Sequence, residues 1–411
     1  MLEHVLRSHG RIQALRGGPR GSLLEGFAEE LCQASYAGTT ARAHIRGAEH
    51  LLHWTAREGI PISEVTESLF ERFHHHLKCC RCPGFGPTRR LYSFRCARLF
   101  LHYLRSTGLL TVSIEPNQDP PLLVAFRQWM RQQRGSCDST LHLYGFCIKT
   151  LLRRLGDDPG RLDAQSLRQF VLEVSQRWGW ARAKTYATAL RMFLCFLISE
   201  GRCPANLQAA IPVLAHWRLS SLPRYLLPED VERIIASCDP STPVGRRDRA
   251  MLLLLARLGL RAGDIVHLHL EDIDWKEASI RVSGKGRRQT RLPLTQEVGD
   301  AVIDYLRARP QTDADALFLR SRAPYCVPTS TCVSAMVAQA MRRAGITSPS
   351  RGAAHVLRHS VATAMLRHGA SLQEIATVLR HRSIETTQIY AKVDVTALQQ
   401  IAQTWPEVQS C

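Results

Sequence analysis

The chain has 411 residues, too many for one compact core and suited to two or three domains. Hydrophobic residues make up 45% and charged residues 22%, which excludes a disordered chain, and the longest purely apolar run, "MLLLLA" at 251–256, is far too short to span a bilayer. A net charge of +18 points to a polyanionic partner, nucleic acid first.

Only six of the 54 basic residues are lysine, so a lysine in a suggestive place stands out. The N-terminus "MLEHVLRSHGRIQALRGG" lacks the apolar run of a signal peptide, and the thirteen cysteines are scattered. A cytoplasmic protein with free thiols is the expectation.

In chain order, the first two hundred residues read as two copies of one helical unit. "TARAHIRGAEHLLHW" starts at Thr40 and "TLHLYGFCIKTLLRR" at Thr140, with leucine pairs at the same offset, Leu51/Leu52 and Leu151/Leu152. Each copy closes on a similar helix, "LFLHYLRSTG" (99–108) and "MFLCFLISEG" (192–201), both ending in a glycine suited to a helix C-cap. The stretch "TVSIEPNQDPP" (111–121) between them reads as a linker.

Inside the first copy lies "HHHLKCCRCPG" (74–84), with His74, His76, Cys79, Cys80 and Cys82. These are metal-ligand types, but Cys-x-Cys lacks the paired spacing of a structural zinc site. The reading adopted is a reduced-thiol loop with no metal; one tetrahedral site closed by the helix end and the loop is the alternative.

A new unit opens at "LSSLPRYLLPEDVERII" (219–235), where Pro228 starts a helix with Glu229 and Asp230 behind it. A helix over 246–258 leads to "RAGDIVHLHL", and "SIRVSGKGRRQTRLPL" (279–294) reads as two alternating strands around a Ser-Gly-Lys-Gly turn. The expected domains are 1–112, 118–205, a linker at 206–222, 223–405 and a tail at 406–411. The fold class is mainly α with one small β-sheet.

The C-terminal stretch carries the chemistry. In "HVLRH", His355 and Arg358 are three apart on a predicted helix and share a face. "SLQE" (371–374) has capping-box form, so a helix runs from there to about Leu379. His381 follows in a turn, and Ser383 caps a last short helix carrying Tyr390. Arginine forks match the non-bridging oxygens of a phosphodiester and stay charged. A tyrosine hydroxyl, pKa about 10, becomes a nucleophile when local positive charge meets it. No carboxylate cluster or glycine-rich phosphate loop accompanies them, so no cofactor is expected.

With Arg261 in "ARLGLRAGDIVHL" and Lys285 in the hairpin turn, these residues resemble the catalytic set of the tyrosine recombinases, or phage-type integrases. The resemblance implies that Tyr390 attacks the scissile phosphate to give a 3′-phosphotyrosine. It gives Arg261, Arg358 and His381 to the phosphate, His355 to acid/base work or positioning, and Lys285 to the 5′-oxygen leaving group. The chain departs from the family pattern twice. Asp264 stands where glutamate is usual and Arg380 where glycine is usual; the second reads as a peripheral change.

The resemblance further implies a tyrosine-recombinase catalytic domain at 223–405 and a helical core-binding domain at 118–205, with the N-terminal domain an extra copy. The partner would be double-stranded DNA, with Arg182, Lys184, Arg191, Arg287 and Arg288 as candidate contacts. The protein would act as a homotetramer, or a hetero-tetramer with sister recombinases, in the bacterial cytoplasm at the nucleoid, with no membrane. The amphipathic tail "DVTALQQIAQTW" (394–405) would dock on a neighbouring protomer or pack on its own. The expected function is integration, excision or transposition of a mobile element. The alternatives are a catalytically silent DNA-binding accessory protein and a type IB topoisomerase-like enzyme.

Overall fold

The computed structural model describes residues 2–6, 8–18, 20–85, 90–110, 119–214, 222–283, 289–347, 349, 352–393 and 398–399. The chain divides into two compact units. One comprises Met1–Ile62, Glu67–Thr107 and Leu219–Cys411; the other comprises Ser63–Thr66 and Gly108–Arg218.

The first unit begins with helices α1 (Leu2–Val5), α2 (His9–Arg16), α3 (Gly21–Gln33), α4 (Gly38–Arg57), α5 (Glu67–Cys79) and α6 (Arg90–Ser106). The second unit holds α7 (Pro121–Arg134), α8 (Asp138–Leu155), α9 (Ala164–Trp178) and α10 (Trp180–Ser199). The two sets of four helices pack in the same order. α3 packs on α4, α4 on α6 and α5 on α6; correspondingly, α7 packs on α8, α8 on α10 and α9 on α10. Two residues past the end of α6 and of α10, Gly108 (φ +72°) and Gly201 (φ +66°) take the left-handed conformation that ends a helix cheaply.

The second unit has its own core. Leu122, Leu123, Phe126 and Met130 line one face of α7 at helical spacing, and Phe126 meets Phe193 of α10 edge-on, 5.3 Å between centroids.

Residues from 222 onward build the catalytic part of the first unit. α11 (Pro228–Ala236) has Pro228 in its first turn and leads to α12 (Pro243–Arg257). The sequence places the start of α12 at 246; Thr242 caps it three residues earlier by accepting from the Gly245 N–H (3.0 Å). Met251 to Leu255 are all buried, so this half of α12 is apolar all round and sits in the core, while its first turns carry Arg246, Arg247, Asp248 and Arg249; the helix packs against α14 (Gln296–Ala308) and α16 (Ala353–Arg367). α13 (Ala262–Val266) and α15 (Ser330–Arg343) pack on each other.

The sheet is antiparallel in the order β1 (Ile273–Asp274), β2 (Ser279–Ser283), β3 (Gln289–Pro293). Ile280 pairs with Leu292 and both face the core, while Arg281 pairs with Arg291 on the other face. Ser283–Gln289 is the last pair of the ladder among the described residues.

α17 (Leu372–Val378) starts with the expected capping box: Ser371 Oγ accepts from the Glu374 N–H (3.2 Å), and Glu374 Oε2 accepts from the Ser371 N–H (2.7 Å). One expectation changes beyond it. Tyr390 sits on 3₁₀ turns, Ile384–Thr386 and Gln388–Val393, and not on an α-helix. The segment "SIETTQIY" is rich in β-branched residues, which disfavour helix, and Thr387 is drawn off to bond His381. Except for 398–399, the tail at 394–405 lies outside the described residues.

Candidate active site

α16 carries Arg358 into the protein interior, where only 4% of the residue is exposed. A buried guanidinium is costly unless its donors are met. Arg358 meets them with backbone carbonyls, donating from Nη1 to Gly259 O and from Nη2 to Leu379 O. Gly259 is left-handed (φ +59°), and a Cβ there would lie 2.7 Å from Leu379 Cδ2. Only glycine allows the turn that brings its carbonyl to Arg358 so close to Leu379.

Arg261 stands at the N-cap of α13. Its backbone N–H donates to Asp264 Oδ2 (2.8 Å), and its Nη2 donates to the Arg380 carbonyl (3.4 Å). Asp264, one methylene shorter than glutamate, therefore still closes the helix start. The same Oδ2 also accepts from Arg380 Nη2 at 2.7 Å, with both side chains 7% exposed.

This corrects the reading of Arg380 as peripheral. The residue adopts φ +52°, a region that favours glycine, and its side chain turns inward onto Asp264. Its Nε and Nη1 are buried with no hydrogen-bond partner among the described residues. Three guanidiniums thus surround one carboxylate. Burial, together with the Arg261 and Arg380 charges, pulls Arg358 down to about 9. The site carries an excess of positive charge that an anion would relieve.

Tyr390 is 1% exposed, packed with Ala362, Ile375 and Leu379. Its hydroxyl lies 2.8 Å from His359 Nδ1. Burial pushes the phenol up to about 12, against the pull of the Arg358 and Arg261 charges. His381 stacks parallel to the Tyr390 ring (5° between planes, centroids 6.5 Å apart), with its Nδ1 2.8 Å from Thr387 Oγ1. Burial, seconded by neighbouring positive charge, holds His359 and His381 at about 4. Desolvation and the charges of Arg358 and Arg261 also hold His355 below its usual value, though its residue opens to solvent. All three imidazoles are therefore biased to the neutral form, leaving the guanidiniums to bind an anion and the rings to handle protons.

A model of the phage integrase family matches residues 224–396, which span this whole arrangement. The chain is 37% identical over 401 residues to the "Putative integrase/recombinase y4rA" of Sinorhizobium fredii, covering 95% of each chain. It belongs to the phage integrase family, the tyrosine recombinases. It is also 28% identical over 284 residues to the tyrosine recombinase XerD of Listeria monocytogenes, covering 66% of this chain and 94% of that one. Among solved structures, XerH site-specific recombinase bound to palindromic difH substrate, in a post-cleavage complex, shares the fold. That likeness has a TM-score of 0.55 at 18% identity and covers 82% of this chain and 95% of that one. This recombinase is an enzyme, mainly helical with one small sheet, and none of its described helices is long and apolar enough to cross a membrane.

Of the six residues read from the sequence as the recombinase's catalytic set, Arg261, Arg358, His381 and Tyr390 come together, with His355 one helical turn before Arg358 on α16. Lys285 lies outside the described residues, as do Arg287 and Arg288. His359 went without a role in the sequence reading because it adjoins Arg358 and offers no spacing of its own; the bond to the Tyr390 hydroxyl gives it one.

The other candidates lie elsewhere. Arg182 and Lys184 are exposed on α10, their cations over the Trp178 and Trp180 rings (5.7 Å each). Arg191 is corrected: its Nη2 donates to the carbonyls of Ile211 and Pro212 (3.2 and 2.9 Å), which makes it a tether for that segment and not a free surface cation. In the histidine–cysteine stretch, His76, Cys80 and Cys82 converge with His50, a residue the sequence reading passed over. His74 instead packs on Phe94, and the Cys79 thiol bonds the His75 and His76 carbonyls of its own helix.

Proposed function

We propose that this recombinase cuts and rejoins DNA strands through a 3′-phosphotyrosine formed on Tyr390. The observation that carries the reading is the buried Tyr390 hydroxyl on His359, under the charges of Arg358 and Arg261. The two arginines hold the non-bridging oxygens of the scissile phosphate, and neutral His381 hydrogen-bonds the same group. A phenol held near 12 beside an imidazole near 4 keeps its proton in the resting state. Deprotonation therefore accompanies attack, with His359 as the nearest acceptor and His355 as an acid/base or positioning group. Lys285 donates the proton that the 5′-oxygen needs on leaving. One phosphodiester is exchanged for a phosphotyrosine of similar energy, so the step reverses and needs no ATP.

The substrate is double-stranded DNA, gripped mostly through its phosphates, with Arg182 and Lys184 of the second unit among the contacts. Repeating the exchange on a second duplex requires a synaptic assembly, read as a tetramer of this chain or of it with sister recombinases, in the bacterial cytoplasm at the nucleoid. Integration, excision or transposition of a mobile element is the favoured role. The match to y4rA runs through the N-terminal copy, whereas that to XerD covers 66% of the chain.

Covalent trapping on nicked DNA carrying the ends of its element, without Mg²⁺ or ATP, tests the reading. An SDS-resistant adduct with the parent protein, absent with Tyr390→Phe, supports it. Tight binding by both proteins with no adduct from either leaves a DNA-binding accessory protein.

A further inference from the structure

A second constellation, built on the N-terminal helices, takes no part in the chemistry above. α4 contributes His50, α5 contributes His76, and the loop leaving α5 brings in Cys80 and Cys82. His50 Nε2 lies 3.3 Å from Cys80 Sγ, and His76 Nε2 lies 3.4 Å from Cys82 Sγ. All four donor atoms fall within 4.8 Å of one another.

Zinc bound tetrahedrally, at about 2.0–2.1 Å to nitrogen and about 2.3 Å to sulfur, holds its donors roughly 3.3–3.8 Å apart. Two of the spacings already match. The remaining ones, at most 4.8 Å, need a contraction of no more than about 1.5 Å, within the reach of side-chain rotation.

We propose that His50, His76, Cys80 and Cys82 bind one zinc ion in a closed structural site. Two thiolates neutralise the metal's charge, two neutral imidazoles complete the four positions, and a tetrahedral S₂N₂ set is the donor choice of zinc. All four positions come from protein, so the site is structural and leaves none for a substrate.

The surroundings hold the ligands in place. The His50 ring lies flat on Phe85 (4.4 Å between centroids, 8° between planes) and edge-on to Phe73. The Cys82 backbone N–H points at Cys80 Sγ (3.4 Å), and Arg57 Nη1 approaches Cys82 Sγ at 3.9 Å; both are donors suited to a metal-bound thiolate. The ion would fasten α4, α5 and the loop beyond α5 at one point, so the fold of these helices would be coupled to metal. Cys-x-Cys is thus half of a site whose other half lies upstream in sequence.

The test uses the full-length, untagged protein from cells supplied with zinc. Elemental analysis should find one zinc per chain. Replacement by cobalt(II) should give the intense visible bands of tetrahedral cobalt with thiolate charge-transfer absorption. Cys80→Ser combined with Cys82→Ser should reduce bound zinc to near zero, whereas Cys79→Ser and His74→Ala should retain it. The double variant can fail to fold, so a second measurement is made on the unmutated protein: titration with a mercurial reagent should release the full zinc complement to a chromogenic chelator. A zinc-free protein, an octahedral cobalt spectrum without thiolate bands, zinc that persists in the double serine variant, or zinc that the mercurial leaves in place would each overturn the proposal.

Discussion

The candidate active site around Arg358 and the cluster on α4 and α5 both gather histidines, in surroundings that suit ligands of opposite charge. Around His355, His359 and His381 the neighbours are guanidiniums: those of Arg380 and Arg261 lie 2.7 and 4.0 Å from the Asp264 carboxylate, and that of Arg358 lies within reach of its charge. Around His50 and His76 the neighbours are thiols. An imidazole donates to an anion or binds a metal equally well, so the ring itself decides nothing. The company it keeps does. Surplus cations make a site for a phosphodiester, and soft donors without a ligand make one for a metal.

Substitutions that remove a cation from the cleft break that contrast most sharply. Arg358→Ala should reduce single-turnover cleavage of a nicked site by about 10³-fold or more, because it deletes a charge on the phosphate. It also strips Gly259 and Leu379 of the donor to their carbonyls, so melting temperature should fall alongside. Next comes the pair that sets the cleft's charge balance. Asp264→Ala leaves three guanidiniums without a counter-charge and should cost about 3 kcal/mol in urea denaturation. Arg380→Gly removes the guanidinium that Asp264 holds, and the two single variants each lose that one bond, so the double variant should be at least about 1 kcal/mol more stable than the two single losses imply. Additive losses would mean that the Asp264–Arg380 bond contributes nothing.

A pH series sharpens the comparison on the cleft side. His359 and His381 sit at about 4 in the folded protein and near 6.5 unfolded, so between those values the unfolded chain holds more protons. Their contribution is fully present above pH 6.5 and is lost as pH falls toward 4, by up to about 2 kcal/mol per pH unit. Replacing both with asparagine should flatten that slope in acid denaturation. The smallest effect belongs to the second unit. Arg191→Ala should lower its stability by about 1 kcal/mol through the lost carbonyl bonds, while leaving the salt dependence of DNA binding unchanged. Arg182→Ala should reduce that salt dependence and leave stability alone.

How far the sequence reaches differs between the two sites for a physical reason. In the cleft, the order Arg261, His355, Arg358, His381, Tyr390 is itself a signal, and the capping box at Ser371 and Glu374 sets the last helix in place from four letters. What the letters hid was side-chain direction. Arg380 looked like a surface replacement for glycine, yet its backbone keeps a glycine-like φ and sends the guanidinium inward. His359 was masked by its neighbour, and the short helix expected to carry Tyr390 is of the 3₁₀ kind and split in two, the first part capped by Ser383. In the cluster, the short spacing of Cys80 and Cys82 was visible, but His50 is contributed by another helix, and only the packing of α4 against α6, which α5 also packs against, brings it in. The helix ends at Gly108 and Gly201 were legible because a glycine that takes a left-handed φ ends a helix cheaply.

The central claim is that Tyr390 takes the strand by its 3′ phosphate. The most direct measurement is to trap the adduct on nicked DNA, digest it with nuclease and trypsin, and weigh the peptides. Cleavage after Arg382 and Lys392 yields a peptide whose sole tyrosine is Tyr390. The account predicts the nucleotide mass on that peptide, on the phenol, with a free 5′-hydroxyl left on the released strand. A nucleotide on any other peptide, or a linkage through the 5′ phosphate, would contradict it.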